Sequence, residues 1–86
     1  MSENNTNISY LETFFQNHEL TRREKETAFL LMEGFTNKKI AEKLILSTVT
    51  VKSHATNIYR KFKVKSRAEF MAKMYKEKEY LLHIKP

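Results

Sequence analysis

Apolar residues recur at helical spacing along this chain, most clearly between Thr48 and Phe62. Here they follow one another at steps of four, three, one and three residues, and they are Val51, Ala55, Ile58, Tyr59 and Phe62. This spacing places them on one stripe of an α-helix with about 3.6 residues per turn. Ser47 is a favourable N-cap because its hydroxyl can accept from a free amide of the first turn. The pattern predicts a helix over about 48–62 that buries this stripe.

A second, shorter helical pattern lies directly upstream. Ile40, Ala41 and Leu44 give it one apolar stripe, and only Ile45 and Leu46 separate it from the cap at Ser47. Two helices joined by so short a turn must cross steeply, and the small side chain of Ala41 permits close approach. The two patterns together predict a helix-turn-helix arrangement.

Pairs of residues with capping-box spacing mark the starts of three more helices. The pairs are Ser9 with Glu12, Thr21 with Glu24, and Ser66 with Glu69. The second helix is expected to run to about Glu33 and to end at Gly34 in a left-handed cap, and the last to continue to about Lys78. Residues 1–7 are polar and Asn-rich, which predicts disorder. No strand alternation is present, so the chain is predicted to be all-α.

The final helix carries two apolar stripes. Ala68, Met71, Ala72 and Tyr75 form the first, which we assign to the core. The second is predicted to be apolar surface and consists of Phe70 and Met74, with Arg67 beside them. An alternative for this second stripe is contact with the N-terminal helix of the same chain, because small domains often cover apolar patches with terminal segments.

Charge is distributed unevenly along the chain. The net charge is +6, yet the first twenty residues contain three glutamates and no cation. Between Thr36 and Ser66 there are eight cations and a single acid, Glu42. Segregated positive charge of this kind favours binding to a polyanion.

The polar face of the 48–62 helix carries Val49, Lys52, Ser53, Thr56 and Arg60, opposite the apolar stripe. Taken alone, this helix fits two interpretations about equally well: an ordinary amphipathic surface helix with a solvated basic face, or the DNA-reading helix of a helix-turn-helix. The short helix before it favours the DNA-reading helix. A helix-turn-helix places the first turns of its second helix nearest the base edges of DNA.

The segment from Leu20 to Arg67 resembles the DNA-binding domain of the LuxR/FixJ family, also called GerE-like or NarL-like. The matching residues are Leu20, Thr21, Arg23, Glu24, Gly34, Thr36, Asn37, Lys38, Ile40, Ala41, Leu44, Ser47, Thr50, Val51, Lys52, His54, Lys61, Val64, Ser66 and Arg67. They fall in the order and at the spacings of the family and cover more than half the chain. The resemblance implies a four-helix LuxR-type helix-turn-helix domain at residues 20–86, preceded by an extension at 1–19 with an additional short helix. It also implies a bacterial transcription regulator that binds duplex DNA, and a homodimer whose seam is the final helix.

Several positions depart from the family pattern, among them Thr27 and Ala28, which are smaller or more polar than the usual aliphatic pair. Lys39 stands where a glutamate or glutamine is usual, and a cation there opposes the helix macrodipole unless an anion such as a phosphate is bound. Lys63 replaces a common glycine and is strained if its φ is positive. Phe29 is apolar where the family is commonly polar, which predicts an unusual hydrophobic surface on the helix after Thr21.

Site residues follow from the helical faces and from the resemblance. We predict that bases are read in the major groove by Val49, Lys52, Ser53 and Thr56. The candidates for DNA phosphate contacts are Asn37, Lys38, Ser47, Thr48, Thr50, Arg60, Lys61 and Lys65. The predicted dimer interface is Arg67, Phe70 and Met74. His54 matches the family histidine, for which we expect a structural or phosphate-contact role.

An enzyme is the weakest alternative. His18, His54 and His83 have no paired spacing, the chain contains neither Cys nor Asp, and no glycine-rich phosphate loop is present. We therefore expect no catalytic residue, no metal and no cofactor. No signal peptide or membrane span is apparent, which predicts a cytoplasmic protein.

A helix-turn-helix that acts by protein–protein contact is the more serious rival. Such a sigma-factor-like or anti-activator module would dock through Phe14, Phe15 and Phe29. RNA polymerase or another regulator is a further partner that either interpretation allows.

Overall fold

Five α-helices make up most of the chain that the structure describes. The computed structural model describes the backbone of residues 11–84 and the side chains of residues 11–77. The helices are α1 (11–17), α2 (Arg22–Met32), α3 (Asn37–Leu44), α4 (Thr48–Lys61) and α5 (Arg67–Ile84). No strand occurs within residues 11–84, and the all-α prediction is confirmed.

Side-chain caps set the starts of the three central helices. Thr21, Thr36 and Ser47 are their N-caps, and each hydroxyl accepts from the amide three residues on at 3.1 to 3.2 Å. In the first of these caps the carboxylate of Glu24 also accepts from the Thr21 amide at 2.9 Å, which completes the predicted capping box. These bonds satisfy amides that have no partner inside their own helix. The predicted box at Ser9 lies outside the described residues, as does the predicted disorder of residues 1–7.

The last helix begins as predicted but is longer. The Glu69 amide donates to the Ser66 hydroxyl at 3.2 Å, and the Glu69 carboxylate accepts from the amide of Lys65 at 2.7 Å. The return bond therefore reaches one residue further back than in a standard capping box. The helix continues to Ile84 rather than ending near Lys78.

Within residues 11–84, four turn residues adopt a left-handed backbone. Gly34 does so after α2 with φ +92°, as predicted. Glu19, Ile45 and Lys63 have φ values of +62°, +57° and +59°, so the strain that the sequence raises for Lys63 is present. A left-handed conformation costs an L-residue roughly 1–2 kcal/mol. It is most unusual for a β-branched residue such as Ile45.

Phe62, at the end of α4, lies at the centre of a cluster of aromatic rings. The ring of Phe14 lies 5.7 Å from it and that of Phe15 6.1 Å, between centroids. The ring of His18 stacks on it at 4.2 Å with an interplanar angle of 2°. Phe70 of α5 meets it edge-on at 5.4 Å. The rings of α1 and of the turn after it therefore join α4 and α5 in one core.

The prediction for α5 is wrong about which stripe is buried. Phe70 and Met74, assigned to the surface and to a dimer interface, lie in the core of the same chain. Ala68 and Ala72 are exposed, and Tyr75 retains 64% of its accessible surface. A phenylalanine and a methionine bury far more apolar area than two alanines, so the helix turns its larger stripe inward once the aromatic cluster offers a place for it. Phe70 and Met74 consequently do not form the exposed apolar stripe that the dimer prediction requires.

Thr27 is the one fully buried side chain of the described residues whose oxygen lacks a hydrogen-bond partner. Replacing it with valine keeps the shape and removes the unpartnered hydroxyl, and we expect the free energy of unfolding to rise by about 1 kcal/mol. Urea denaturation of the parent and of Thr27→Val measures this difference. Thr13→Val, at an exposed position of α1, is the matched control. Equal unfolding midpoints for parent, variant and control would contradict the prediction.

Candidate nucleic-acid interface

The predicted base-reading residues share one solvent-facing stripe of α4. Val49, Lys52, Ser53 and Thr56 are all exposed, with Val49 at 76%. Arg60 continues the same stripe towards the end of the helix and is also exposed. Val51, Ala55 and Ile58 are buried on the opposite side. The core therefore fixes the rotation of α4 so that its polar face points outward.

A tight turn fixes the angle at which α3 meets α4. Ile40 and Ala41 of α3 are buried, and α3 packs against α4. The Leu46 amide donates to the carbonyl of Ala41 at 2.9 Å, and Ile45 in its left-handed conformation ends α3 only two residues before the cap at Ser47. Ala41 is buried, which agrees with the close approach of the two helices that the sequence predicts.

The N-termini of α3 and α4 differ from those of α2 and α5 in their charge. The first turns of α2 and α5 contain Glu24 and Glu69, whereas those of α3 and α4 contain no acid. In α3 the first turn instead carries Lys38 and Lys39. Free amides and the helix dipole make such an end favourable for an anion, and here no carboxylate competes for the position. Lys39 pairs with Glu42 at 3.4 Å, but both side chains are more than half exposed, so this pair contributes little.

The predicted phosphate contacts are spread over both helices and the two turns beside them. Lys38, Ser47, Thr48, Arg60 and Lys65 are exposed, and Asn37 and Thr50 are half-buried. The Ser47 hydroxyl donates to that of Thr50 at 2.9 Å, so these two form a pair at the start of α4. The guanidinium of Arg60 donates to the side-chain oxygen of Asn57 at 2.9 Å and remains exposed.

Lys61 belongs to an intramolecular ion pair, which corrects its assignment as a phosphate contact. Its ammonium group donates to the Glu24 carboxylate at 2.7 Å and to the carbonyl of Glu19 at 2.9 Å. The side chains of Lys61 and Glu24 are only 23% and 5% exposed. The pair joins the end of α4 to α2 and to the turn that follows α1. Moving Lys61 to a DNA phosphate would leave Glu24 buried without its partner.

The environment of Glu24 gives this ion pair a pH dependence. Burial by itself raises the pKa of the Glu24 carboxyl, but the hydrogen bonds from Lys61 and from the Thr21 amide, with the charges of Lys61 and His54, lower it below the ordinary 4.5. A carboxyl whose pKa is lower in the folded chain stabilises the fold above its unfolded value. This contribution is present above about pH 4.5 and is lost as the pH falls through the lowered pKa.

Arg67 has a partner within the chain, which also corrects its place in the predicted dimer interface. Its guanidinium donates to the carbonyl of Leu31 at 3.1 Å and so ties the start of α5 to the end of α2. Arg67 also acts on Tyr59 of α4. Burial raises the pKa of the Tyr59 hydroxyl, and the positive charge of Arg67 partly opposes this rise. Arg67 is a structural residue in this chain.

Sequence reasoning missed one exposed apolar side chain at this surface. Ile45 is 90% exposed in the turn between α3 and α4. Its position between the buried stripe of α3 and the N-cap of α4 suggested a turn residue, and no pattern in the sequence distinguishes its exposure from that of Leu46, which is half-buried.

Two features are absent from the described residues. No group of three or more His, Cys, Asp or Glu side chains within them could hold a metal ion. Of the helices in residues 11–84, none is long and apolar enough to cross a membrane.

Comparison with known proteins gives matches over most of this chain. Residues 18–74 match the family model described as "Bacterial regulatory proteins, luxR family". The chain is 39% identical over 72 residues to the transcriptional regulatory protein LiaR of Bacillus subtilis, a match that covers 84% of this chain and 33% of LiaR. It is 42% identical over 59 residues to the oxygen regulatory protein NreC of Staphylococcus carnosus, covering 69% and 27%.

A solved structure, that of the response regulator StyR, superposes with a TM-score of 0.64 at 35% identity over 87% of this chain and 37% of the StyR chain. This chain spans about a third of the length of LiaR and about a quarter of NreC. The family match includes α2, α3, α4 and the first part of α5, the helices that carry the interface described above. By this match and these relatives, the chain belongs to the luxR family of bacterial regulatory proteins.

Proposed function

We propose that this chain regulates transcription by binding duplex DNA sequence-specifically, with α4 in the major groove. The observation that carries the proposal is the exposed stripe of α4, whose orientation is fixed by a buried stripe on its other side. A helix held in this way by a short preceding helix has the geometry with which helix-turn-helix domains enter the major groove. Binding to a bacterial chromosome implies a location in the cytoplasm.

Each residue of the stripe has a role that its chemistry suits. Lys52 is placed to donate to guanine O6 and N7, and the hydroxyls of Ser53 and Thr56 can accept from or donate to more than one base. Val49 would contact a thymine methyl group. Together these four would read the sequence.

Phosphate contacts would set the register of the domain on the duplex without reading bases. We assign them to Asn37, Lys38, Ser47, Thr48, Thr50, Arg60 and Lys65. The acid-free N-termini of α3 and α4 support this assignment, because both ends favour an anion. A phosphate at the start of α3 would also compensate for Lys38 and Lys39, which otherwise oppose its dipole.

Dimerisation through α5 is part of the proposal, but through its exposed face and not through the buried Phe70 and Met74. Ala68, Ala72 and Tyr75 are exposed at helical spacing and Met71 is half-buried between them. Two alanines permit close approach of a second helix, and Tyr75 supplies apolar area. A shallow hollow of about 130 Å³ lined by Met32, Met71, Met74 and Tyr75 adjoins this face.

The rival function, docking on protein through aromatic side chains, loses its support. Phe15 is fully buried, and Phe14 and Phe29 are half-buried. The ring of Phe29 lies 5.1 Å from that of Phe15, so α1 covers part of the hydrophobic surface that the sequence predicts on α2. Contact with RNA polymerase or with another regulator stays a prediction.

Replacing Lys52 with alanine tests the proposal. We expect the variant to lose about 1–3 kcal/mol of binding free energy on the preferred duplex and much less on a random one, because a base-edge donor acts at its own base pair. Titration of both duplexes with parent and variant, at one salt concentration, measures the difference.

Lys65→Gln is the matched control for that experiment, since it also removes one exposed lysine. Because Lys65 is assigned to a phosphate, its replacement should weaken binding to both duplexes equally. It should also reduce the slope of log affinity against log salt by about one unit. Equal losses on both duplexes for Lys52→Ala would move Lys52 to the phosphate contacts. Binding that does not weaken with salt would remove the proposed function.

A further inference from the structure

Two exposed aliphatic side chains flank the cap at the start of α4. Ile45 is 90% exposed two residues before Ser47, and Val49 is 76% exposed two residues after it. Together with Tyr75 they are the most exposed large hydrophobic residues in the part of the chain that the structure describes. Leu46, between Ile45 and the cap, is half-buried. The start of α4 therefore presents an apolar tip, made of Ile45 and Val49, beside its polar stripe.

Neither packing nor backbone geometry accounts for an isoleucine at position 45. The residue has φ +57° and ψ +52°, a conformation that glycine adopts freely and that a β-branched side chain strongly disfavours. The comparable turn after α2 has φ +92° and uses Gly34. Because the side chain is exposed, the fold gains little from its apolar surface. Strain that the fold does not require is a physical reason to look for a role in binding.

The position of Ile45 indicates what it would touch. If α4 lies in the major groove as proposed, the turn before it lies at the edge of that groove. The C5-methyl group of thymine is the apolar feature that distinguishes bases there. One aliphatic side chain suffices to contact one methyl group. A stable protein–protein interface buries roughly 800 Å² on each partner, far more than Ile45 and Val49 supply.

We infer that Ile45 is a specificity-determining residue that contacts a thymine methyl group, next to the one contacted by Val49. The operator then carries thymine at the position facing the turn, and this preference is lost when the methyl group is absent. The inference rests on the proposed function, because it requires α4 in the major groove.

The experiment combines changes in the protein with changes in the DNA. A preferred duplex is selected from a random pool with the parent chain, and its thymines are replaced one at a time by deoxyuridine, which lacks only the methyl group. For the parent we expect about fourfold weaker binding at a contacted thymine, the loss that corresponds to one methyl group withdrawn from an apolar contact. For Ile45→Gly we expect the effect to vanish at one of these thymines and to persist at the others, which isolates the pairwise contact.

Thermal unfolding provides a second measurement. Ile45→Gly should raise the melting temperature by about 4–8 °C, because glycine relieves the left-handed strain. Glu19→Gly is the matched control: Glu19 is also exposed, with φ +62°, but lies in the turn after α1. This control should also gain stability. Its affinity should fall as much as that of the parent when a contacted thymine is replaced by deoxyuridine.

The possible failures are distinguishable. A parent that selects no preferred duplex overturns the proposed function and this inference with it. A parent that binds a preferred duplex but is unaffected by deoxyuridine overturns the inference, together with the thymine contact assigned to Val49, and leaves DNA binding by α4 in place. The inference is also overturned if Ile45→Gly still loses affinity at every thymine whose replacement by deoxyuridine weakens the parent. The exposed tip would then have to serve contact with another protein.

Discussion

Replacement of Phe15 by alanine should lower the free energy of unfolding by about 3–5 kcal/mol, the usual cost of emptying a fully buried phenylalanine site. The ring is fully buried and meets Phe29 at 5.1 Å and Phe62 at 6.1 Å, both edge-on. A small domain has roughly 5–15 kcal/mol of stability in total, so much of it would be lost. The melting temperature is expected to fall by more than about 12 °C. Circular dichroism during heating and urea denaturation measure the two quantities.

Gln16→Ala is the control, because Gln16 is the exposed neighbour of Phe15 on α1. It should change stability by less than about 0.5 kcal/mol. A loss of less than 1 kcal/mol in Phe15→Ala would mean that α1 is not part of the core. The division of the chain into an extension at 1–19 and a domain at 20–86 would then be the better description of how it folds.

Ala72→Glu should abolish the gain in affinity that two adjacent half-sites provide, while leaving the fold and single-site binding intact. Ala72 lies on the exposed face of α5, where a two-fold seam would bring the residue close to its own copy. Two carboxylates there would repel one another and would be partly desolvated. Linked binding events commonly gain 10²–10⁴-fold, so the variant is expected to lose about 100-fold or more on a duplex with half-sites one helical turn apart.

Gln16→Glu controls for the added negative charge, since it introduces the same carboxylate on α1. It should lower affinity for one-site and two-site duplexes by the same small factor. Titration of both duplexes measures the coupling, and sedimentation measures the oligomeric state. If Ala72→Glu bound the paired site as cooperatively as the parent, the seam would have to lie elsewhere than on this face of α5.

Local rules account for the parts of the fold that the sequence predicts correctly. The caps at Thr21 and Ser47 use bonds that span three residues, and the left-handed turn at Gly34 depends on one residue type. The exposed face of α4 follows in the same way, because its apolar stripe is unambiguous. Features such as these need no knowledge of distant parts of the chain.

Local rules could not predict the partners of long charged side chains. Lys61 and Arg67 match the family pattern and are cationic, which suggested DNA and a partner subunit. Their partners are Glu24, 37 residues away, and the carbonyl of Leu31, 36 residues away. A charged side chain in a sequence does not reveal whether an acid or a carbonyl from another helix lies within its reach.

By itself the sequence determined the helices, the helix-turn-helix arrangement and the outward stripe of α4, because helical periodicity and capping act over a few neighbouring residues. Only the tertiary structure decided which stripe of α5 is buried and that Ile45 stands exposed in a strained turn. Periodicity says that two stripes exist, but the free energy of burying either one depends on the surface that receives it. Here that surface is the cluster around Phe62, built from α1 and α4, and it accepts Phe70 while Tyr75 stays in solvent.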